Sequence, residues 1–68
     1  MSQQERLLER LRKGPITPME AWSELAIYRV GARVHQLRKD GYSIDTELVE
    51  VVNRYGEKCR VAEYRLIQ

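Results

Sequence analysis

The sequence predicts an α+β fold in which three short helices are followed by a C-terminal β-hairpin. Capping and helix-breaking residues divide residues 3–40 into three helical segments. Two segments rich in β-branched residues follow, separated by a glycine-containing turn. The 68 residues contain no linker, repeat or low-complexity segment, so we expect residues 1–68 to form one domain. This order of elements is that of a winged helix-turn-helix.

The first helix is expected over residues 3–13, because its leucines recur on one face of a helical repeat. These leucines are Leu7, Leu8 and Leu11. A Gly-Pro dipeptide at residues 14–15 ends the helix, since proline cannot continue it. The basic residues of this helix are expected to lie in solvent and to pair in part with neighbouring glutamates. Phosphate contact from its C-terminal end is the alternative.

The second helix is expected to begin at Thr17 and to run to about Leu25. Thr17 can cap it, and Pro18 suits the first helical position, where the missing N–H has no partner to lose. Glu20 lies three residues after Thr17, so its side chain can accept a hydrogen bond from the Thr17 N–H and complete a capping box.

Trp22 is the only tryptophan and is predicted to anchor the core. It shares one side of the second helix with Ala21 and Leu25, and a side chain of this size can bury a large area. A role in stacking against a ligand is the alternative.

The third helix is expected from Arg29 to Asp40, with Gly41 at its C′ position. Its apolar residues converge on one stripe, which must face the core. This stripe consists of Ile27, Val30, Val34 and Leu37. The short connection between the second and third helices matches a helix-turn-helix, whose second helix enters the major groove of DNA.

The opposite side of the third helix is the candidate DNA-binding surface. It carries Tyr28, Arg29, Ala32, His35, Gln36 and Lys39, with Arg33 and Arg38 on its flanks. The small Ala32 permits close approach to a groove edge, and arginine or glutamine can make bidentate contacts with guanine or adenine. The predicted contacts are Tyr28, Arg29, Arg33, Gln36 and Lys39. A merely soluble face is the alternative.

The hairpin is expected to pair residues 46–53 with residues 59–67. In the second strand, Ala62, Tyr64 and Leu66 alternate with Glu63 and Arg65. One face of this strand is therefore expected to be buried. A turn centred on residues 55–56 would place Val49 opposite Ala62 and therefore on the buried face. The same turn would place Val51 opposite Arg60. The first strand does not alternate cleanly, so the register stays open.

Basic residues at the hairpin tip are the second candidate contact with DNA. Arg54 and Lys58 lie on either side of Tyr55 and Gly56, and a basic hairpin tip is suited to phosphates or a minor groove. Glu57 reduces the positive charge there. We predict DNA contacts from Arg54 and Lys58, and the alternative is that these charges prevent aggregation of edge strands.

The net charge is only +2, from twelve Lys and Arg against ten Asp and Glu. A case for nucleic-acid binding must therefore come from where the charges lie. Residues 29–39 carry four basic and no acidic residues, whereas residues 44–50 carry three acidic and no basic residues. The third helix is thus the more favourable surface, and the acidic first strand weakens the case for the hairpin.

Several kinds of chemistry lack the residues that they need. His35 is the only histidine and Cys59 the only cysteine, so no His/Cys metal site and no internal disulfide can form. The glycines are isolated, which argues against a phosphate-binding loop. We therefore expect no cofactor, no metal and no enzymatic activity. No apolar run approaches the roughly 18–20 residues that span a bilayer, and the expected compartment is a reducing cytoplasm.

Five segments carry a resemblance to known proteins. They are residues 14–21 (GPITPMEA), 25–29 (LAIYR), 32–34 (ARV), 37–38 (LR) and 62–66 (AEYRL). With them, about residues 5–66 resemble a family of small helix-turn-helix proteins encoded by bacteriophages and prophages. The resemblance implies a winged helix that binds DNA, with Arg29 and Arg33 as contacts.

Together these observations predict a DNA-binding protein of a mobile element that regulates transcription or assists another DNA transaction. Its partner would be double-stranded DNA, and tight specific binding by so small a chain would need a homodimer or a bent site. The alternative is a protein-interaction module that binds and inhibits a host protein. Binding that falls steeply with salt would favour DNA, and salt-insensitive binding to one protein would favour the alternative.

Overall fold

The computed structural model describes residues 2–67. The elements are α1 (Gln3–Lys13), α2 (Pro18–Leu25), α3 (Val30–Lys39), β1 (Ile44–Val52) and β2 (Lys58–Leu66). The predicted three helices followed by an antiparallel hairpin are confirmed. No helix in the described part of the chain is long and apolar enough to cross a membrane.

Capping boxes define the starts of α1 and α2. The Glu20 N–H donates to the Thr17 hydroxyl at 3.3 Å, and the Thr17 N–H donates to the Glu20 carboxylate at 2.9 Å. Ser2 and Glu5 form the same arrangement at α1. Each box satisfies N–H groups that have no partner within the helix, which explains why these helices begin where they do.

The helix α3 is one residue shorter at each end than predicted, because Arg29 and Asp40 are its caps. Gly41 occupies the C′ position with φ +102°, and its N–H donates to the Arg38 carbonyl at 3.1 Å. This is the left-handed ending that favours glycine.

A left-handed alanine makes the turn between α2 and α3 tight. Ala26 has φ +56° and ψ +34°, and its N–H donates to the Trp22 carbonyl at 3.0 Å. A left-handed conformation costs a non-glycine residue about 1–2 kcal/mol. The neighbouring Ile27 is fully buried, and its burial offsets that cost.

The core lies where the three helices meet the base of the hairpin. Its buried residues are Leu7, Leu11, Ile16, Ala21, Ile27, Val30, Val34, Leu37 and Ile44. The predicted α3 stripe is therefore confirmed in full, and Leu8 of the predicted α1 stripe is only partly buried.

The prediction that Trp22 anchors the core is wrong, because its surface is 55% exposed. The buried side of α2 is formed by Ala21 and by Leu25, four residues later. Trp22 is one residue from Ala21, about 100° around the helix, and so points away from the core. Its ring instead meets Tyr28 edge-on, with the ring centroids 5.9 Å apart.

A single bridge extends the two-stranded sheet at its base. The Ile16 N–H donates to the Tyr64 carbonyl at 2.9 Å, and the Tyr64 N–H donates to the Ile16 carbonyl at 2.8 Å. Ile16 therefore lies beside β2, on the side opposite β1. The bridge joins the connection between α1 and α2 to the hairpin.

The hairpin register, which the sequence left open, differs by one residue from the register that a turn centred on residues 55–56 would give, because the loop is one residue longer. Residues 54–56 form a three-residue loop in which Gly56 has φ +78°, the left-handed conformation that such loops use. Val49 consequently lies opposite Val61 rather than Ala62. Each strand also lies one or two residues closer to the N-terminus than predicted.

The shift exchanges the two faces of β1. It pairs Val51 with Cys59 rather than with Arg60. We call the side of the sheet that packs on the core the inner face and the other side the outer face. The inner face carries Ile44, Thr46, Leu48, Glu50, Val52, Lys58, Arg60, Ala62, Tyr64 and Leu66, and the outer face carries Asp45, Glu47, Val49, Val51, Cys59, Val61, Glu63 and Arg65. Val49 and Val51 therefore lie on the outer face.

Arg38 fixes the hairpin to α3. Its guanidinium donates from Nε and Nη2 to the Ile44 carbonyl at 3.0 and 2.7 Å, and from Nη2 to the Thr46 hydroxyl at 2.7 Å. One side chain thus connects the last turn of the helix to the start of β1. This engagement makes Arg38 a structural residue on the flank of the candidate DNA-binding surface.

Replacing Thr17 with alanine should lower the free energy of unfolding by about 1 kcal/mol, because it removes the cap of α2. Urea denaturation would measure the loss. Ser23→Ala, on the exposed side of the same helix, is the control and should change stability by less than about 0.5 kcal/mol. Equal effects of the two substitutions would show that the cap contributes nothing.

Replacing Trp22 with alanine should cost only about 0.5–1.5 kcal/mol, the range for an aromatic pair, because the ring is half exposed. Ile27→Ala, at a fully buried site, should cost about 2–5 kcal/mol. Thermal unfolding of both variants provides the comparison. A Trp22 variant as unstable as the Ile27 variant would mean that the ring is part of the core after all.

Replacing Arg38 with alanine should lower the free energy of unfolding by about 1 kcal/mol, because a three-bond connection between α3 and β1 is lost. The adjacent Lys39→Ala removes the same charge from an exposed position and should stay within about 0.5 kcal/mol of the unchanged protein. Chemical denaturation distinguishes the two. Identical losses would indicate a general effect of charge rather than the loss of the connection.

Candidate nucleic-acid interface

The exposed side of α3 presents most of the predicted contact residues together. Val30, Val34 and Leu37 are buried, so the opposite side of the helix faces solvent. Gln36 and Lys39 are exposed there, as are the neighbouring Ala32 and His35. The small Ala32 leaves the backbone accessible at the centre of this surface.

Arg29, Arg33 and Gln36 form one line along α3, because their spacing places them on neighbouring turns of one helix face. Arg29 is the N-cap residue, and its carbonyl accepts the Ala32 N–H at 3.1 Å while its side chain takes no part in capping. Arg33 is partly buried on the flank of the surface. The ion pairs within residues 2–67 do not include either arginine, so both guanidinium groups keep their donors available.

An aromatic pair lies beside the start of this line. Tyr28 is 78% exposed and meets Trp22 of α2 edge-on. The sequence-based interpretation missed Trp22 as a surface residue because it judged the residue by size. The length of α2 could have indicated that Trp22 is exposed. A helix of eight residues buries one narrow stripe of side chains, and Ala21 and Leu25 already form that stripe.

The hairpin tip is held in shape by Asn53. The Asn53 side-chain oxygen accepts the Tyr55 N–H at 2.9 Å and the Glu57 N–H at 3.0 Å. Its side-chain amide donates to the Glu57 carboxylate at 3.2 Å. Arg54 is exposed at this tip.

The hairpin projects beyond the helical core. Strands of nine residues span about 30 Å, and the Cα atoms extend 38 Å along the longest axis against 22 and 20 Å along the others. The tip of the hairpin therefore extends past the helical core and is accessible to a long partner such as a duplex.

Lys58 and Arg60 lie on the inner face, the side of the sheet that α3 occupies. α3 lies close to the inner face at Gly31. A Cβ atom added to this glycine would lie 3.5 Å from the hydroxyl of Tyr64, which is an inner-face residue. Lys58 approaches Glu50 at 4.0 Å, and both side chains are largely exposed, so this ion pair neutralises Lys58 only weakly. Arg60 was not among the predicted contacts, and the corrected register identifies it as part of this basic group.

The structure thus brings the predicted residues into two separate groups. Tyr28, Arg29, Arg33, Gln36 and Lys39 lie along α3, and Arg54 and Lys58 lie toward the end of the hairpin. Within residues 2–67, no group of three or more His, Cys, Asp or Glu residues could hold a metal ion. The chemistry that the two groups offer is donation of hydrogen bonds from cationic and amide side chains to anionic or base-edge acceptors.

Comparison with known proteins agrees with this geometry. The sequence model of the family described as "Winged helix-turn-helix domain" matches residues 2–68. No curated protein and no solved structure matches the chain. Because the family match extends over nearly all of its residues, the chain belongs to the winged helix-turn-helix domain family, a membership that indicates DNA binding.

Proposed function

We propose that this protein binds double-stranded DNA with α3 in the major groove and the hairpin on the sugar-phosphate backbone. The observation that carries the proposal is the line of Arg29, Arg33 and Gln36 on the solvent-facing side of a helix whose other side is buried. These are the side chains that make bidentate contacts with guanine and adenine edges. The family of the chain supports the same partner.

The two groups of basic residues would have different roles. Arg29 and Arg33 are proposed to read bases, since they lie at the N-terminal end of α3, the part of a recognition helix that meets base edges. Lys39, at the C-terminal end, is proposed to contact a phosphate. Tyr28, at the other end of α3, would pack on the DNA backbone there, with Trp22 holding its ring in position.

The hairpin would act without base recognition. Arg54 and Lys58 are proposed to contact phosphates, which adds affinity but no sequence preference. The Asn53 hydrogen bonds keep the tip ordered before DNA arrives, so little conformational entropy is lost on binding. An ordered tip is therefore an advantage even for a small number of contacts.

We further propose that the protein serves a phage or prophage, as a transcriptional regulator or an accessory factor in another DNA transaction. The resemblance of residues 14–21 and 25–29 to such proteins supports this role. The DNA of the bacterial cytoplasm would be its target. A specific complex usually involves more surface than one α3 and one hairpin tip provide, which favours two copies on adjacent half-sites or a bent site.

Arg29→Ala or Arg33→Ala should remove sequence preference with little change in melting temperature, because both side chains lie off the buried stripe. A base-reading arginine is worth about 1–3 kcal/mol of discrimination. Lys58→Ala should instead weaken binding to all sequences about equally and reduce the salt slope by about 1. Fluorescence anisotropy with a selected duplex and a scrambled duplex, at several salt concentrations, measures each effect.

The matched control is Arg6→Ala, which removes one positive charge from an exposed position on α1 that belongs to neither group and lies before the last turn of the helix. It should leave sequence preference unchanged. If all four variants behave alike, binding reflects general charge and the assigned roles are wrong. If a duplex at low salt shifts no NMR signals of residues 28–39, the DNA-binding proposal itself fails, and a module that inhibits a host protein becomes the leading interpretation.

A further inference from the structure

Trp22 is a large aromatic side chain that the core leaves at the surface. It is 55% exposed, because the buried side of α2 is formed by Ala21 and Leu25. Its ring meets Tyr28 edge-on, and Tyr28 is itself exposed. Tryptophan and tyrosine are enriched where proteins meet their partners, since each combines a large apolar ring with a hydrogen-bond donor. The pair is therefore a candidate contact surface.

Trp22 lies beside the end of α3 that is proposed to read bases. Tyr28 directly precedes Arg29, which begins the line of candidate base contacts along α3. Because the Trp22 ring contacts Tyr28, it lies next to the start of this line, on the side toward α2. In helix-turn-helix complexes, the helix before the recognition helix crosses the DNA backbone at the border of the major groove. Trp22 is therefore placed where a phosphate and its deoxyribose would pass.

The two glutamates of α2 are directed away from Trp22. Glu20 and Glu24 each lie two residues from Trp22 and so about 200° around the helix from it. The carboxylate of Glu20 accepts hydrogen bonds from Thr17 in the capping box, and that of Glu24 accepts from Nε of Arg10 at 2.8 Å. Both carboxylates are thus partnered elsewhere, so the Trp22 side of α2 can approach a phosphate without repulsion from its own helix.

The indole N–H of Trp22 is available as a hydrogen-bond donor. Within residues 2–67, the side-chain hydrogen bonds of α2 and its cap use Thr17, Glu20, Ser23 and Glu24 rather than the indole. An indole N–H donates but cannot accept, so it suits an anionic oxygen. The apolar ring beside this polar edge matches the alternation of sugar and phosphate along a DNA backbone.

We propose that Trp22 is itself a DNA contact, in which the indole N–H donates to a phosphate oxygen and the ring packs on the adjoining deoxyribose. This inference rests on the proposed function, because it takes α3 to lie in the major groove. It extends the interface from α3 and the hairpin to α2. The contact is neutral, so it releases no counterion from the DNA, and it meets the backbone, so it reads no base. Neither group of cationic residues shares both properties.

The test is fluorescence anisotropy of Trp22→Phe with the selected and the scrambled duplex at several salt concentrations. Phenylalanine keeps an aromatic ring against Tyr28 and removes the indole N–H, and thermal unfolding verifies that the variant stays folded. We expect binding to both duplexes to weaken about fivefold, with the salt slope and the ratio of the two affinities unchanged. Val51→Ala, which removes apolar surface from the outer face of the hairpin, is the control and should bind as the unchanged protein does.

A double-mutant cycle with Tyr28→Ala separates direct contact from positioning. If Trp22 acted only by holding Tyr28, Trp22→Phe would have no effect once Tyr28 is alanine. We expect Trp22→Phe to weaken binding about fivefold in this background also, because the phosphate still loses its donor.

Trp22 also reports on its own environment, because it is the only tryptophan in the chain. In the free protein, acrylamide should quench its emission strongly, since the ring is half exposed. Saturating duplex should lower the quenching constant, because the ring then lies against the DNA backbone. The Val51→Ala control should show the same protection by the duplex.

Several results would overturn the proposal. They are unchanged binding by Trp22→Phe, a loss that disappears in the Tyr28→Ala background, and quenching that saturating duplex leaves unaltered. A quenching constant that falls with protein concentration alone would identify a second copy as the occupant. Failure of the proposed function is distinguishable from these results. Duplex shifts at residues 28–39 with unaltered Trp22 quenching would reject only the Trp22 contact, whereas no duplex shifts there would reject DNA binding and this inference with it.

Discussion

The burial and pairing of Ile16 is the constraint on which the arrangement of helices and hairpin depends. Its side chain is fully buried, and its main chain makes two hydrogen bonds with Tyr64 of β2. The next residue, Thr17, caps α2. One short segment therefore fixes the hairpin, the core and the start of the helix-turn-helix in a single geometry. With Arg38 holding β1 to the end of α3, the two candidate DNA-binding groups have a fixed relative position.

The three-residue loop at the tip decides which charges face a partner. In the register that a turn centred on residues 55–56 would give, Asp45 and Glu47 would lie on the inner face, beside α3. The loop closed by Asn53 moves both carboxylates to the outer face and leaves Glu50 as the acidic residue of β1 on the inner face. A change of one residue in loop length thus separates a more basic face from an acidic face without any change in composition.

The sequence predicts this fold well where short-range rules apply, and less well where the outcome depends on tertiary contacts. The start of α2 follows from its capping box, the end of α1 from the Gly-Pro dipeptide, and the α3 stripe from helical periodicity. Ile16 has no periodic neighbour to indicate its burial. Trp22 was misplaced because side-chain size does not specify direction on a helix. The tip register depends on side-chain hydrogen bonds of Asn53, which periodicity does not contain. The candidate α3 residues could be selected as the side opposite the stripe, whereas the roles proposed for them depend on a duplex that neither sequence nor fold supplies.

The small net charge is compatible with DNA binding because the charges are divided between surfaces. A net charge of +2 gives weak long-range attraction, so affinity must come from a local concentration of cations, which α3 and the inner face provide. Of the ten acidic residues, Asp45, Glu47 and Glu63 lie on the outer face, the side of the sheet opposite α3. On the inner face, these carboxylates would weaken the phosphate contacts proposed for the hairpin. The division therefore keeps these three carboxylates on the side of the sheet that faces away from the proposed DNA-binding surface.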